Sequence, residues 1–151
     1  MKTANHNTTD VVEIKEFLNR AYRMREFIAI REEQLAELRT VSERITPQSY
    51  ARIGNRMNNN DSILERTLCK IIDLEAEITA DIGSMIDAMQ QIRSAIAAVE
   101  DKNYRLLLEM RYLNFKNWED ISEELCYSER HIYRIHEEAV AKVKIAHIES
   151  A

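Results

Sequence analysis

A group of hydrogen-bonding side chains follows Ser128 within one predicted helix. Arg130 and Arg134 lie four residues apart, so their guanidinium groups share one helix face. A guanidinium can donate paired hydrogen bonds to a guanine edge or bind a phosphate. We therefore predict that this helix contacts the major groove of double-stranded DNA. The predicted contacts are Ser128, Glu129, Arg130, His131, Tyr133 and Arg134.

Four side chains near this group have both a DNA-binding role and an alternative one. Glu129 either accepts a hydrogen bond from cytosine or stabilises the N-terminal end of the helix dipole. Tyr133 either contacts a thymine methyl group or a phosphate, or it packs as a partly buried ring. Lys116 and Lys142 are candidate contacts to the DNA backbone, and the alternative for each is ordinary solvated surface.

The pattern of residues 118–136 predicts the helix-turn-helix that would position these side chains. Ile121 and Leu125 lie four apart on one face of a first short helix. Ile132 and Ile135 lie three apart on the second helix and can pack against that face across the turn. In this motif the second helix enters the major groove. An ordinary antiparallel helix pair within a bundle is the alternative.

Polar residues are placed to begin both helices of the motif. Asn117 is a predicted N-cap for the first helix, and Ser128 is one for the second. Between them, Cys126 occupies a turn position where Gly is frequent, because the backbone there often needs a positive φ. We expect Cys126 either to cost about 1 kcal/mol in that conformation or to adopt a slightly different turn. Trp118 is expected to close the core of the domain.

The composition predicts an all-α protein. The 151 residues include only two Gly, one Pro and three Phe, so turns and strand formers are few. No apolar run approaches the roughly 18–20 residues of a membrane span, and the N-terminus lacks the apolar segment of a secretory signal. Cys69 and Cys126 are far apart, which indicates no disulfide framework. We expect a cytoplasmic location in a bacterial host cell.

Catalytic chemistry finds little support in the sequence. The chain has no Gly-rich phosphate loop, no nucleophile elbow and no Cys/His cluster. His131 and His136 are five residues apart, a spacing that does not align them on a helix as metal ligands. We therefore expect no enzymatic activity, no cofactor, no metal and no small-molecule substrate.

The net charge is unfavourable for DNA binding by a single copy. The chain carries a net charge of −5, and residues 101–151 have 8 Lys or Arg against 10 Asp or Glu. Phosphate binding normally depends on a basic surface. We therefore expect the protein to bind DNA either as a homodimer or higher oligomer, or together with host RNA polymerase.

Two long helices are predicted before residue 100. Residues 11–45 and 62–100 have apolar residues at alternating spacings of three and four, and residues 46–61 contain the Pro, a Gly and an Asn run typical of a loop. Helices of similar length joined by a loop favour an antiparallel hairpin. The apolar stripe is wider than two helices need, which favours self-association; the alternative is a monomeric hairpin packed on the C-terminal domain. The predicted seam and oligomerisation residues are Leu64, Ile71, Ile78, Met85 and Ile92.

The predicted organisation has three parts. Residues 1–10 are expected to be disordered, residues 11–100 to form the hairpin, and residues 101–148 to form three short helices. The fold class is therefore all-α, with a long antiparallel coiled-coil helical hairpin followed by a small tri-helical helix-turn-helix domain. The core candidates in its first short helix are Leu107, Leu108 and Met110.

The C-terminal residues resemble the last DNA-binding region of bacterial primary sigma factors, which contacts the −35 promoter element. The matching segments are 104–112, 118–121 and 127–136, followed by Ala139. The chain as a whole resembles a phage and prophage family that includes or neighbours the RinA and ArpU types of transcriptional regulator, in residues 71–75 and in its hairpin layout. The resemblance implies that the second helix enters the major groove with its N-terminal half.

Three functions are consistent with these features. The first is a DNA-binding transcriptional regulator of phage type, acting as a dimer or with host RNA polymerase. The second is a structural or interaction protein whose coiled coil binds partners and whose helix-turn-helix contacts protein; the acidic balance favours it. The third is a DNA-packaging component such as a small terminase subunit, although those proteins usually place the helix-turn-helix first and here it is last.

Overall fold

The computed structural model describes residues 4–45 and 57–145 and contains five helices in those residues. No strand occurs in the two described ranges. The predicted all-α class, with a helical hairpin followed by a helix-turn-helix, is confirmed. The helices are α1 (Ala4–Arg44), α2 (Met57–Ala97), α3 (Lys102–Tyr112), α4 (Trp118–Leu125) and α5 (Glu129–Lys142).

Both long helices begin earlier than the sequence predicted. α1 starts at Ala4, so residues 4–10, which we expected to be disordered, are helical. α2 starts at Met57, so residues 57–61 of the expected loop are helical as well. Neither stretch contains Gly or Pro, and extending an existing helix requires no new nucleus. The remaining expectations for residues 1–3, 46–56 and 146–148 lie outside the described residues.

The described residues form two compact units whose boundaries differ from the predicted division at residue 100. One unit, which we call the hairpin unit, is Met24–Ser84. The other consists of the described residues up to Arg23 and from Met85 onward, and we call it the composite unit. α3, α4 and α5 thus share a unit with the first part of α1 and the last part of α2, which come from opposite ends of the predicted hairpin domain.

Ion pairs in the hairpin unit show that its helices run antiparallel. Arg31 Nη1 lies 2.7 Å from Asp81 Oδ2, and its Nε lies 3.1 Å from Glu77 Oε1. Arg39 Nη2, further along α1, lies 2.7 Å from Glu75 Oε1, which is earlier on α2. The partner number on α2 therefore falls as the number on α1 rises. These pairs are substantially exposed, so each contributes at most about 1 kcal/mol, and they fix register more than stability.

The composite unit has buried apolar side chains in each of its five helical segments. Leu18 on α1 and Ile92 on α2 are fully buried, as are Leu107, Ile121 and Ile132 in the shorter helices. A polar contact at the surface, between Lys15 on α1 and Glu137 on α5, also joins two of these segments. A fully buried side chain of this size stabilises the fold by about 1.5–3 kcal/mol relative to an exposed one. Apolar burial is therefore the main force that holds this unit together.

Three of the five predicted oligomerisation residues are part of the core of a single chain, which corrects our assignment. Ile71, Ile78 and Ile92 are buried, and Leu64 and Met85 are half-buried. A side chain already removed from water has little area left for a second copy. Their seven-residue spacing reflects packing within one chain. Self-association itself stays a prediction, as does a part in it for Leu64 and Met85.

A membrane span would need a longer apolar stretch than any described helix provides.

Replacement of Leu18 by Ala tests whether the composite unit is one body. We expect Leu18→Ala to lower the free energy of unfolding by about 2–5 kcal/mol, the range for truncation of a buried leucine. Amide hydrogen exchange should accelerate in α5 as well as in α1, because both belong to the same unit. The control Leu106→Ala removes a leucine that is 46% exposed and should cost less. Faster exchange confined to α1 would contradict the composite unit.

Candidate nucleic-acid interface

The turn between α4 and α5 has the left-handed geometry of a helix-turn-helix. Cys126 ends α4 with φ 56° and ψ 37°, and its N–H donates to the carbonyl oxygens of Ser122 and Glu123. The Tyr127 N–H donates to the Ser122 carbonyl at 3.1 Å. The Ser122 hydroxyl in turn donates to the Tyr127 carbonyl. Of the two alternatives predicted for Cys126, the structure adopts the first, a backbone conformation with positive φ.

Both predicted N-caps are confirmed. Asn117 Oδ1 accepts a hydrogen bond of 2.8 Å from the Asp120 N–H at the start of α4. Ser128 Oγ accepts one of 3.2 Å from the His131 N–H at the start of α5. Each bond satisfies a backbone donor that has no partner within its own helix. The two caps therefore fix where each helix of the motif begins.

A compact apolar cluster holds the three short helices together. Its buried members come from all three: Leu107 and Met110 from α3, Ile121 from α4 and Ile132 from α5. Trp118, Leu125 and Ile135 are partly buried and pack against the cluster, which agrees with the expected role of Trp118 at the edge of the core. The opposite side of α5 is consequently left to solvent.

The exposed side of α5 carries most of the predicted DNA contacts. Glu129, Arg130, Tyr133 and Arg134 are exposed, and His131 is half-buried. Arg134 Nη2 lies 2.9 Å from His131 Nδ1. Because a guanidinium keeps its protons, it is the donor and Nδ1 is the acceptor. His131 thus orients Arg134, whereas Arg130 forms no ion pair with any described residue and can reach a ligand directly.

Aromatic rings flank the arginines. The Tyr133 ring lies 5.3 Å from the Trp118 ring and is 47% exposed, so it packs on one edge and remains accessible on the other. The Tyr127 ring meets the His131 ring edge-on at 4.7 Å. Arg111 lies 4.4 Å above the Trp118 ring as a cation–π contact. These contacts limit the rotamers available to the side chains at the surface.

The two predicted backbone contacts lie apart from the arginine group. Lys116 Nζ is 2.6 and 2.7 Å from the two carboxylate oxygens of Glu124, so its charge is shared with α4. Lys142 is exposed in the last turn of α5, twelve residues after Arg130 or about 18 Å along the helix. The structure therefore brings Ser128 to Arg134 together and leaves the two lysines outside that group.

The first helix of the motif is acidic. Its exposed residues include four carboxylates, and within the described residues only Glu124 has an ion-pair partner among them. Carboxylates near the start of a helix are stabilised by its dipole, which accounts for Glu119 and Asp120. The same charges repel phosphates. The four carboxylates are Glu119, Asp120, Glu123 and Glu124.

A buried polar pair on the inner side of α5 was missed by sequence reasoning. The Tyr112 hydroxyl lies 2.5 Å from His136 Nε2, and both side chains are buried. Burial raises the pKa of Tyr112 to about 12 and lowers the pKa of His136 to about 4. The tyrosine therefore keeps its proton, and its hydroxyl donates a hydrogen bond to Nε2 of a neutral imidazole. The sequence signal for the burial of His136 is its spacing, because it lies four residues after the buried Ile132 and so on the same face of α5.

Two polar contacts connect the outer edge of α5 to other helices of the composite unit. Lys15 Nζ on α1 lies 2.7 Å from Glu137 Oε1, and this hydrogen bond lowers the pKa of Glu137. The Tyr104 hydroxyl on α3 donates to Glu138 at 2.9 Å, which raises the pKa of Tyr104. α5 is thus held by contacts with α1 and α3 while the N-terminal half of its outer face stays open.

The described side chains contain no group of three His, Cys, Asp or Glu that is arranged to hold a metal ion.

Comparison with known proteins places the chain in a family but gives that family no function. Residues 14–145 match a family model described as "Protein of unknown function (DUF722)", and the chain belongs to this family. No curated protein and no solved structure matches the chain. The resemblance to sigma-factor regions and to RinA- or ArpU-type regulators therefore stays a prediction.

Replacement of Cys126 by Gly should stabilise the protein. A non-glycine residue in the left-handed region costs roughly 1–2 kcal/mol, and glycine loses part of that gain through its more flexible unfolded state. We expect Cys126→Gly to raise the free energy of unfolding by about 0.5–1 kcal/mol, measured by urea denaturation. The control Cys69→Gly makes the same change inside α2 and should lower stability by about 1 kcal/mol. A destabilised Cys126→Gly protein would contradict the left-handed turn.

The stability of the protein should fall as the pH drops below the ordinary pKa of histidine. The pKa of His136 is about 4 in the fold and 6.5 in the unfolded chain, so the unfolded chain binds more protons between these values. We expect a loss of about 2 kcal/mol between about pH 7.5 and pH 5, measured by urea denaturation. In His136→Gln this histidine-dependent loss should disappear. An equal pH dependence in both proteins would contradict the assignment.

Proposed function

We propose that the chain is a sequence-specific DNA-binding transcriptional regulator of phage type that acts in the bacterial cytoplasm. It binds double-stranded DNA through the N-terminal half of α5. The observation that carries the proposal is the turn at Cys126, which leaves Arg130 and Arg134 side by side on an exposed face. An antiparallel helix pair that only fills a bundle core does not need two guanidinium groups on the exposed face of its second helix.

The dimensions and donors of α5 suit a major groove. Its 14 residues give a rod of about 21 Å, and B-DNA has a major groove about 12 Å wide that admits one helix. Arg130 provides a mobile donor fork for a base edge or phosphate. Arg134 provides a second fork whose direction is fixed by His131. A pre-oriented guanidinium loses less conformational entropy when it binds, which favours Arg134 as a contact that discriminates between bases.

The charge of α4 limits the affinity of one copy. Its four carboxylates lie on the helix that would cross the DNA backbone, and Lys116 compensates only Glu124. Counterion release therefore provides little binding energy to a single chain. We propose that the protein gains affinity from a second copy or from host RNA polymerase, because either adds contacts without adding to this local repulsion.

A cleft beside the motif supports the alternative function of a protein-binding module. It has a volume of about 330 Å³ and is lined by Tyr104, Leu106, Leu125, Tyr127 and Ile135, among others. Leu106 and Tyr127 are each nearly half exposed. Exposed apolar side chains next to acidic helix surfaces are typical of protein contacts. Under this alternative the helix-turn-helix contacts protein and the long helices supply further binding surface.

Selection from random DNA duplexes tests the proposed function. The full chain is incubated with a pool of random duplexes, the bound fraction is sequenced, and affinity for the enriched sequence is measured by fluorescence anisotropy at two salt concentrations. We expect one enriched motif and salt-sensitive binding. Arg130→Ala combined with Arg134→Ala should weaken binding at least about 30-fold, because each contact is worth about 1–3 kcal/mol, while thermal stability stays nearly unchanged.

The matched control removes the same charge elsewhere in the composite unit. Arg20→Ala combined with Arg23→Ala changes two exposed arginines on α1 and should leave the enriched motif unaltered. If the wild-type chain enriches no sequence, alone or with RNA polymerase, the protein-binding alternative gains and the proposal fails. A ring of eight or more subunits would instead favour the DNA-packaging function.

A further inference from the structure

Four exposed aliphatic side chains lie along one face of α2. Their exposed fractions are high for leucine and isoleucine, and the helix presents them outside the seam that faces α1. At 100° per residue, all four fall within about 40° of one line along the helix. We call them the α2 stripe: Leu68 (45% exposed), Ile72 (64%), Ile82 (37%) and Ile86 (57%).

The spacing of the α2 stripe is symmetric about its middle. Glu75 and Thr79 occupy the two positions between Ile72 and Ile82 on the same line. The intervals from Leu68 to Ile86 are therefore four, three, four, three and four residues. Reversing the direction of the helix reproduces the same order of apolar and polar positions. A surface of this kind is complementary to a second copy of itself related by a two-fold axis.

We propose that two copies of this chain associate through the α2 stripe, with their α2 helices antiparallel. Leu68 of one copy then packs against Ile86 of the other, and Ile72 packs against Ile82. The polar Glu75 lies opposite Thr79. This inference deepens the self-association that forms one part of the proposed function, and it requires nothing of the DNA-binding part.

The polar middle of the stripe selects this register over its neighbours. A shift by one heptad in either direction places Glu75 or Thr79 opposite an isoleucine, which buries a polar group against an apolar one. A parallel pairing places Glu75 opposite its own copy, which brings like charges together. Glu75 also bonds to Arg39 of its own chain at 2.7 Å, which holds its carboxylate in place. Only the antiparallel register of equal spacings avoids all three conflicts.

Charge complementarity and contact length support the same arrangement. Asp61 and Arg93 are exposed and lie on the line of the stripe beyond its two ends. In the antiparallel register each faces the other in the second copy. From Asp61 to Arg93 the helix extends about 48 Å, which at a helix width of about 10 Å gives a projected face of roughly 500 Å². Two such faces bury about 1,000 Å² in total, which is at the lower end for a specific interface.

Charge substitution at paired positions tests both the surface and the register. The mass of the full chain is measured without DNA by sedimentation or light scattering over a wide concentration range, and we expect twice the chain mass of 17.7 kDa for the wild type. Ile72→Glu alone and Ile82→Lys alone should each weaken the dimer at least about 100-fold, because the symmetric interface contains every substitution twice. The double variant Ile72→Glu/Ile82→Lys should restore it, since each new carboxylate then faces a new ammonium.

The control is Ile63→Glu, which makes the same substitution at another exposed isoleucine of α2. Ile63 is 40% exposed and lies nine residues before Ile72, which places it on the opposite side of α2. This variant should remain dimeric. The helicity of each variant is checked by circular dichroism. If a single variant unfolds, the double variant is decisive: recovery of helicity and dimer mass supports the proposal, and failure to recover them overturns it.

Three outcomes overturn the proposal. A monomeric wild type contradicts the dimer. A dimer that tolerates Ile72→Glu contradicts the use of this surface, and a double variant that stays monomeric contradicts the antiparallel register. DNA binding is measured separately. A monomeric wild type that still binds DNA contradicts this inference alone, whereas a wild-type dimer that binds no DNA contradicts the regulatory function alone.

Discussion

The left-handed conformation of Cys126 determines the direction in which α5 leaves α4, and the candidate interface depends on that direction. The reversal lets Ile121 and Ile132 enter one core from two helices that are only three residues apart. Burying these two side chains outweighs the roughly 1–2 kcal/mol cost of a positive φ at a non-glycine residue. Because Ile132 faces inward, Arg130 and Arg134 must face solvent. The exposure of the arginines is thus a consequence of core packing.

Polar groups around α5 serve different purposes on its two sides. On the inner side, Tyr112 and the neutral His136 satisfy each other in the core, which removes the penalty for burying either alone. On the outer side, His131 uses a ring nitrogen to orient Arg134. The acidic α4 places negative charge beside these donors, and that charge repels any polyanion. Under the proposed function, this surface offers few general phosphate contacts and two directed donor groups, a combination that favours specificity over affinity.

Much of the helix-turn-helix was predictable from the sequence because its determinants are local. Asn117 and Ser128 begin their helices through bonds that span three residues, and the positions of Ile121 and Ile132 follow from helical periodicity. The pairing of Tyr112 with His136 was not predictable in this way, since it joins residues 24 positions apart through the tertiary fold. The role of Ile71 was misassigned for a related reason. Periodicity shows that a face is apolar, but it does not specify what covers that face.

The contact between Lys15 and Glu137 spans 122 positions, nearly the length of the described chain. Residues up to Arg23 leave the ribosome before those from Met85 onward, yet the two stretches form one compact unit. Closing so long a loop is entropically costly and slow relative to local helix formation. During synthesis, therefore, the early part of α1 carries Leu18 without the core that later buries it. The surroundings of α5 are complete only after the segments from Met85 onward have been synthesised, so a chain that ends before them does not present the exposed face of α5.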